Sequence, residues 1–332
     1  MTRFARFFAA LFLFSAATGA EAACEGENLL AKMGEAERRA LLAAADAVPF
    51  PRGNLWRAVR GEEVVHLVGT YHLDDPRHGE VMARVAPLVE AAAVVLVEAG
   101  PEEEAALMAD LARDPSLMVL TEGPTLREAL PEAEWAMLAD AMRARGLPPF
   151  MVSKFRPWYV SVLLALPACK MEGAVAGAGG LDGMIIAHAE AAGVPLRALE
   201  AHDTVFRQFA AMSFEDQLGM ITSALALEPV SADYSVTLAD AYFDQEARLI
   251  WELTRRMSLE VPGVPAAQVE EDFAQMERML MTDRNRAWIP VIEAAAQEGP
   301  VLAAFGALHL SGETGVLHLL EEAGFRLERL PM

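Results

Sequence analysis

The sequence predicts an α/β protein: a mostly parallel sheet built from two related halves at the chain ends, with a large helical insertion over about residues 103–295. Three observations carry this reading. Two short apolar runs, Val64–Val68 and Val94–Val97, flank a stretch with helical spacing, the signature of a βαβ unit. The pattern G-x-x-H-L follows an apolar run near each end of the chain, as Gly69–Leu73 and Gly306–Leu310. The residues between are dominated by apolar positions recurring at helical intervals.

Composition bounds the function. A chain of 332 residues that is 54% hydrophobic and 23% charged buries a sizeable core and is not disordered. Lys and Arg total 27 against 48 Asp and Glu, a formal net charge of −21. Such a chain repels a phosphate backbone, and it has no Lys/Arg stripe, so nucleic acid is excluded as a partner. Two cysteines, Cys24 and Cys169, are too few for a disulfide-dense scaffold or a cysteine-rich metal site.

Residues 1–22 read as an address, not as fold. Arg3 and Arg6 precede an apolar run from Phe7 to Ala17, and Ala20-Glu21-Ala22 has the small-x-small form of a cleavage site. A bacterial signal peptide cleaved near Ala22 places the mature chain, residues 23–332, in the periplasm or medium. No later apolar run approaches the length of a membrane span. In an oxidising compartment Cys24 and Cys169 are able to pair.

The elements follow in order. A helix is expected over 34–47 and a hairpin over 54–69, turning at Arg60-Gly61-Glu62. A helix over 79–92 leads to strand 94–97, which stops at Glu98. Helices are expected near 103–113, 124–144, 156–166, 181–192, 203–211, 214–227, 236–257 and 267–297. Strand 195–199 interrupts them and closes on Glu200. Strand 300–305, a helix over 312–323 capped by Gly324, and strand 325–330 complete a single α/β domain.

The chemistry concentrates at strand ends. His72 and His309 each follow a buried strand, and Glu98 ends the neighbouring one. In an open parallel sheet these ends line the ligand crevice, and a glycine allows the backbone to leave the strand at unusual angles. Two histidines and one carboxylate form a common ligand set for a divalent metal with open positions, able to activate water and polarise a carbonyl. Each histidine alone reads equally as a satisfied strand-end group. Asp75 reads as a ligand-orienting or substrate-binding residue, or as a turn residue. Glu200 reads as a substrate contact or a structural ion pair. Arg284 and Asn285 lie on an amphipathic helix and read either as part of a solvated charge run or as site residues, with Arg284 binding a substrate carboxylate or stabilising an oxyanion and Asn285 a substrate contact. Asp182 starts a helix and reads first as a cap. His78 reads as a turn residue and His66 as a core residue, while His188, His202 and His318 read as surface or packing groups. No nucleophile elbow, phosphate-binding loop or zincin helix is present. The glycine-rich run Gly173–Gly180 has no strand leading into it and reads as a loop.

Taken together these residues resemble the TraB/GumN family, which includes the TIKI-type metalloproteases. The resemblance rests on Gly69-Thr70-Tyr71-His72-Leu73, Val95-Leu96-Val97-Glu98, Gly180-Leu181-Asp182, Leu199-Glu200, Arg284-Asn285 and Gly306–Gly312, in the family's order over about residues 50–330. It implies a fold similar to the erythromycin-esterase-like and ChaN-like group. It also implies a metal-dependent hydrolase, with a peptidase as the expected class and His72, Glu98 and His309 around Mn or Co, or else Zn. A peptide or small molecule is the expected substrate. Two other readings stay open: a non-catalytic binding or inhibitory protein for a peptide, haem or metal, and a metal-free esterase-like hydrolase.

Overall fold

The computed structural model describes residues 24–171, 179–261 and 263–332. The expected signal peptide and nearly all of the glycine-rich run lie outside these residues. Six strands form one mixed sheet: β1 (Leu55–Arg60), β2 (Glu63–Thr70), β3 (Val94–Val97), β4 (Leu196–Ala198), β5 (Val301–Gly306) and β6 (Arg326–Arg329). Their order across the sheet is β4-β3-β5-β2-β1-β6. The first four in that order run parallel, while β1 is antiparallel to both β2 and β6. The α/β class and the hairpin are as expected from the sequence.

The main helices are α1 (Glu35–Ala45), α2 (His78–Glu90), α3 (Pro101–Arg113), α4 (Glu132–Ala144), α5 (Pro157–Ala165) and α6 (Gly180–Ala192). They continue as α7 (Thr204–Ala211), α8 (Phe214–Leu227), α9 (Ser231–Phe243), α10 (Ala247–Leu259), α11 (Ala266–Glu277), α12 (Asp283–Glu298) and α13 (Val316–Glu322). Two expected helices are broken. Pro131, which lacks an amide hydrogen, splits 124–144 into Leu126–Ala129 and α4. Gln245, with φ of 61°, separates α9 from α10 within the expected 236–257 helix. The helix expected over 267–297 passes through a π-helical segment, Arg278–Thr282, just before α12.

Alternation along the strands buries both faces. Val65, Leu67, Val94, Leu96, Ala303 and Phe305 pack on one side beneath Trp288 and Ile292 of α12 and Val316 and Leu320 of α13. Val68, Val95, Val97, Leu302 and Ala304 pack on the other beneath Val85 of α2, Leu181 and Ile185 of α6 and Tyr242 of α9. The strand runs read as continuously apolar because helices cover both faces. Helices α4, α5 and α8 share a separate cluster that includes Leu138, Met142, Val160, Leu164, Ile221 and Leu225. Cys24 and Cys169 are disulfide-bonded, with Cα atoms 5.4 Å apart. Among the described residues, no helix is long and apolar enough to cross a membrane.

Leu96 is 0% exposed in the middle of β3, so Leu96→Ala is expected to cost about 2–5 kcal/mol in a urea melt. Met137→Ala, at 48% exposure, should shift the same melt by under about 0.5 kcal/mol.

Candidate active site

Four adjacent parallel strands deliver the polar groups to one edge of the sheet. Strand β5 lies between β2 and β3, with Thr70 opposite Gly306 and Val97 opposite Ala304. The chain leaves β3 under α6 on one face and returns to β5 under α12 on the other. At such a reversal an open parallel sheet offers its ligand crevice beyond the strands' carboxyl ends. His72 and Thr70 come from the end of β2, Glu98 from β3, Glu200 from β4 and His309 from β5. Arg284 and Asn285 come from the first turn of α12.

The two G-x-x-H motifs are not equivalent. The register places Gly306 opposite Thr70, so the motifs are offset by one residue. The side chain of His72 is 63% exposed. His309 is 6% exposed, tucked in by the 3₁₀ turn Ala307–His309 and lying 4.5 Å from the Trp288 ring. At Gly306 the requirement is space, since its φ is −49°. A Cβ there would lie 2.9 Å from His72 Nε2 and 3.5 Å from Glu98 Oε1. Gly180 does need its positive φ of +53°, and its α-carbon packs against the backbone of Tyr71 and His72, where a Cβ would come within 2.3 Å of Tyr71 O.

Hydrogen bonds tie these groups together. His72 Nδ1 donates to Asp182 Oδ2 at 2.8 Å, and Thr70 Oγ1 donates to Asp182 Oδ1 at 2.6 Å. Asp182 therefore orients His72, and the cap expected there is not its role. The Gly306 amide donates to Glu98 Oε1 at 2.7 Å, and Arg284 Nη2 donates to Glu98 Oε2 at 2.5 Å. Arg284 also grips Glu200, through Nε at 2.9 Å to Oε2 and Nη2 at 2.7 Å to Oε1. Trp288 Nε1 donates to the same Oε2 at 3.1 Å. Arg284 Nη1 lies 3.2 Å from His309 Nε2, and His309 Nδ1 lies 2.6 Å from Asn285 Oδ1. Asp75 is apart from this cluster: its carboxylate holds the backbone and guanidinium of Arg77, as a turn residue does. His78 is 2% exposed as the first residue of α2, where it packs on Tyr71 and Phe243; it is a buried helix residue and not the turn residue expected.

The pKa shifts follow from this wiring. Desolvation of the ring by the groups around it works against a charged His72, although its side chain is largely exposed; the Asp182 carboxylate, aided by Glu98, outweighs this and raises the pKa to about 9. Burial alone would raise Glu98; the neighbouring His309, His72 and Arg284 instead lower it to about 2. Burial lowers His309 to about 4. Near neutral pH the site thus holds a protonated His72, an ionised Glu98 and a neutral His309.

Two groups of residues offer metal donors. Beside Gly306 the missing Cβ leaves a cradle faced by His72 Nε2 and Glu98 Oε1, the donor types a divalent ion takes. The carboxylate on the other nitrogen of His72 is the support that ligating histidines usually have. His309 faces the guanidinium of Arg284, and His72, Glu98 and His309 do not bring one donor atom each within 4.8 Å of one another. Among the described residues, Asp110, His202 and Asp203 do, and could hold a metal ion. They lie where α3 meets the start of α7, with Arg113 on Asp110 and Arg207 on Asp203.

The family model for TraB/PrgY/gumN matches residues 54–329, which is most of the chain. The chain belongs to the TraB/PrgY/gumN family. No curated protein matches it. In this TraB-family chain Thr70 and Trp288 are the site residues that sequence reasoning passed over, and Asp182 is the one it read first as a cap. Thr70 and Asp182 stand within the motifs already quoted. Trp288 carried no signal beyond its place one helical turn after Arg284.

The His72–Asp182 pair makes a pH prediction. His72 has its pKa raised above the ordinary 6.5. Its contribution to stability is therefore complete below about pH 6.5 and is lost as pH rises through about 9. In Asp182→Asn, NMR titration should show the His72 pKa falling below about 7, with that alkaline loss of stability gone.

Proposed function

We propose that the crevice is the site of a metal-dependent hydrolase, with peptides as the first substrate class to test. One observation carries the proposal: His72 Nε2 and Glu98 Oε1 face a common space beside Gly306, while Asp182 holds the far side of the His72 ring. A divalent ion there, Mn or Co by family resemblance, would supply an acidified water and a polarised carbonyl.

The chain's own residues have distinct parts. Asp182 and Thr70 aim His72 Nε2 into the crevice. Glu98, with its pKa lowered to about 2, stays anionic at every working pH, which suits a ligand better than a general base. Arg284, anchored on Glu200, is the group that meets negative charge developing on a carbonyl oxygen. Asn285 and Trp288 hold His309 and Glu200 in place. Export to an oxidising compartment agrees with the Cys24–Cys169 disulfide and with the signal-like residues 1–22.

A second reading has its own support. A His72 kept protonated by Asp182 is able to donate to a leaving group without any metal, as in an esterase. The two readings differ in pH dependence. A ligand must lose its proton, so metal-dependent turnover rises about tenfold per pH unit towards pH 9. Acid catalysis by His72 instead falls away above about pH 9.

The test is turnover of a mixed peptide library with and without chelator. The metal reading expects activity lost with chelator, restored by Mn or Co, and reduced at least about a thousandfold in His72→Ala and Glu98→Gln, both of which stay folded. Chelator-resistant cleavage that still depends on His72 would transfer the site to the metal-free reading. Undiminished activity in both variants would remove the crevice from catalysis.

A further inference from the structure

The Arg284 side chain holds a position that suits a cation of higher charge. Its Nη2 meets Glu98 Oε2 at 2.5 Å and its Nη1 meets His309 Nε2 at 3.2 Å. Its other attachments, to Glu200 through Nε and Nη2 and to Leu280 O through Nη1 at 3.0 Å, depend on neither of those groups.

The state of His309 follows from the amide beside it. Asn285 Nδ2 donates to Thr314 O at 2.8 Å and to His309 O at 3.4 Å, so its Oδ1 is the atom facing His309 Nδ1 at 2.6 Å. That oxygen only accepts, so the His309 proton sits on Nδ1. The lone pair on Nε2 then points at Arg284 Nη1. A lone pair accepts a hydrogen bond or ligates an ion, and does not do both. Glu98 differs: Oε1 accepts from the Gly306 amide and Oε2 from Arg284, and each carboxylate oxygen keeps a second lone pair.

We propose that Arg284 is a stand-in cation. In the metal-free protein its fork spans Glu98 and His309, and it must leave His309 Nε2, staying on Glu200, for a divalent ion held by His72 and Glu98 to gain His309 as a third ligand. The inference rests on the metal reading above and adds a competitor built into the site. It explains why His309, whose lone pair is already set for ligation, lies outside the space shared by His72 and Glu98. It also couples loading to readiness, because the released fork remains on Glu200 beside the crevice, where a substrate carbonyl would lie.

The test is calorimetric titration with MnCl2 of the wild type, Arg284→Gln and Arg284→Lys, each checked for folding by circular dichroism. The Lys variant keeps the charge but loses the fork that spans Glu98 and His309. Binding at least about tenfold tighter in both variants is the expected result, whether or not the wild type binds measurably. Tightening in Arg284→Gln alone would mark a net-charge effect and overturn the fork. Equal or weaker binding in both variants would overturn the stand-in while leaving the metal reading intact. Absence of saturable binding in all three proteins would overturn both.

Nitrogen-15 NMR of the wild type decides the question if the variants do not fold. Saturating Zn²⁺ should move His309 Nε2 from its hydrogen-bonded to its metal-bound shift while the Arg284 Nε–H stays protected on Glu200. An unchanged His309 Nε2 in zinc-bound protein would overturn the proposal.

Discussion

A guanidinium that is 7% exposed, held between two carboxylates, organises the crevice. Arg284 joins Glu98 at the end of β3 to Glu200 just past β4, and it reaches both from the first turn of α12. Burying these charges is costly, and an apolar replacement of matching shape is often no less stable. The triad is therefore poor support for stability, but it sets geometry. It requires β3 and β4 to end level and α12 to begin over them, and it places His309 against Trp288. The π-helical segment Arg278–Thr282 immediately upstream is part of the same arrangement. An extra residue in the turn changes the phase of the helix, and such segments concentrate at functional sites. Arg284 and Asn285 consequently face inward, 6% and 1% exposed, within a sequence that otherwise looks like an exposed charge run.

The other half of the crevice is pinned from the chain's far side. The disulfide ties Cys24 to Cys169, and the next residue, Lys170, donates to Asp74 O at 3.0 Å. Gly180 packs on Tyr71 and His72, and the Leu181 amide bonds Tyr71 O at 3.1 Å. Asp182 follows at once. The segment that carries the partner of His72 is thus laid directly on the loop that carries His72. The short spacing from Gly180 to Asp182 makes one close backbone approach serve both residues.

The sheet was legible because its physics is local. Val64–Val68, apart from His66, and Val94–Val97 are apolar on consecutive residues, as doubly covered strands require; Glu98 stands where the second run stops, and Glu200 where strand 195–199 does. Helix ends were less legible. Pro131 and Gln245 break helices whose apolar periodicity continues across the break, so the pattern overran them. At the site, His72, Glu98 and His309 were found by type and position, but their wiring was not. A one-residue offset between β2 and β5 makes the two G-x-x-H motifs unlike, and register is invisible in the motif itself. Asp182 was read as a cap because acidic residues at helix starts usually are caps. Asp110, His202 and Asp203 were missed as a group because α3 and α7 lie about ninety residues apart in sequence and no motif joins them.

The account turns on where a divalent ion sits. Crystals grown with Mn²⁺ and measured near its absorption edge would locate it directly by anomalous scattering. The account predicts a peak beside Gly306, within about 2.3 Å of His72 Nε2 and a Glu98 oxygen, with Arg284 withdrawn from His309. A peak only at Asp110, His202 and Asp203, or none in crystals that retain the crevice intact, would contradict it.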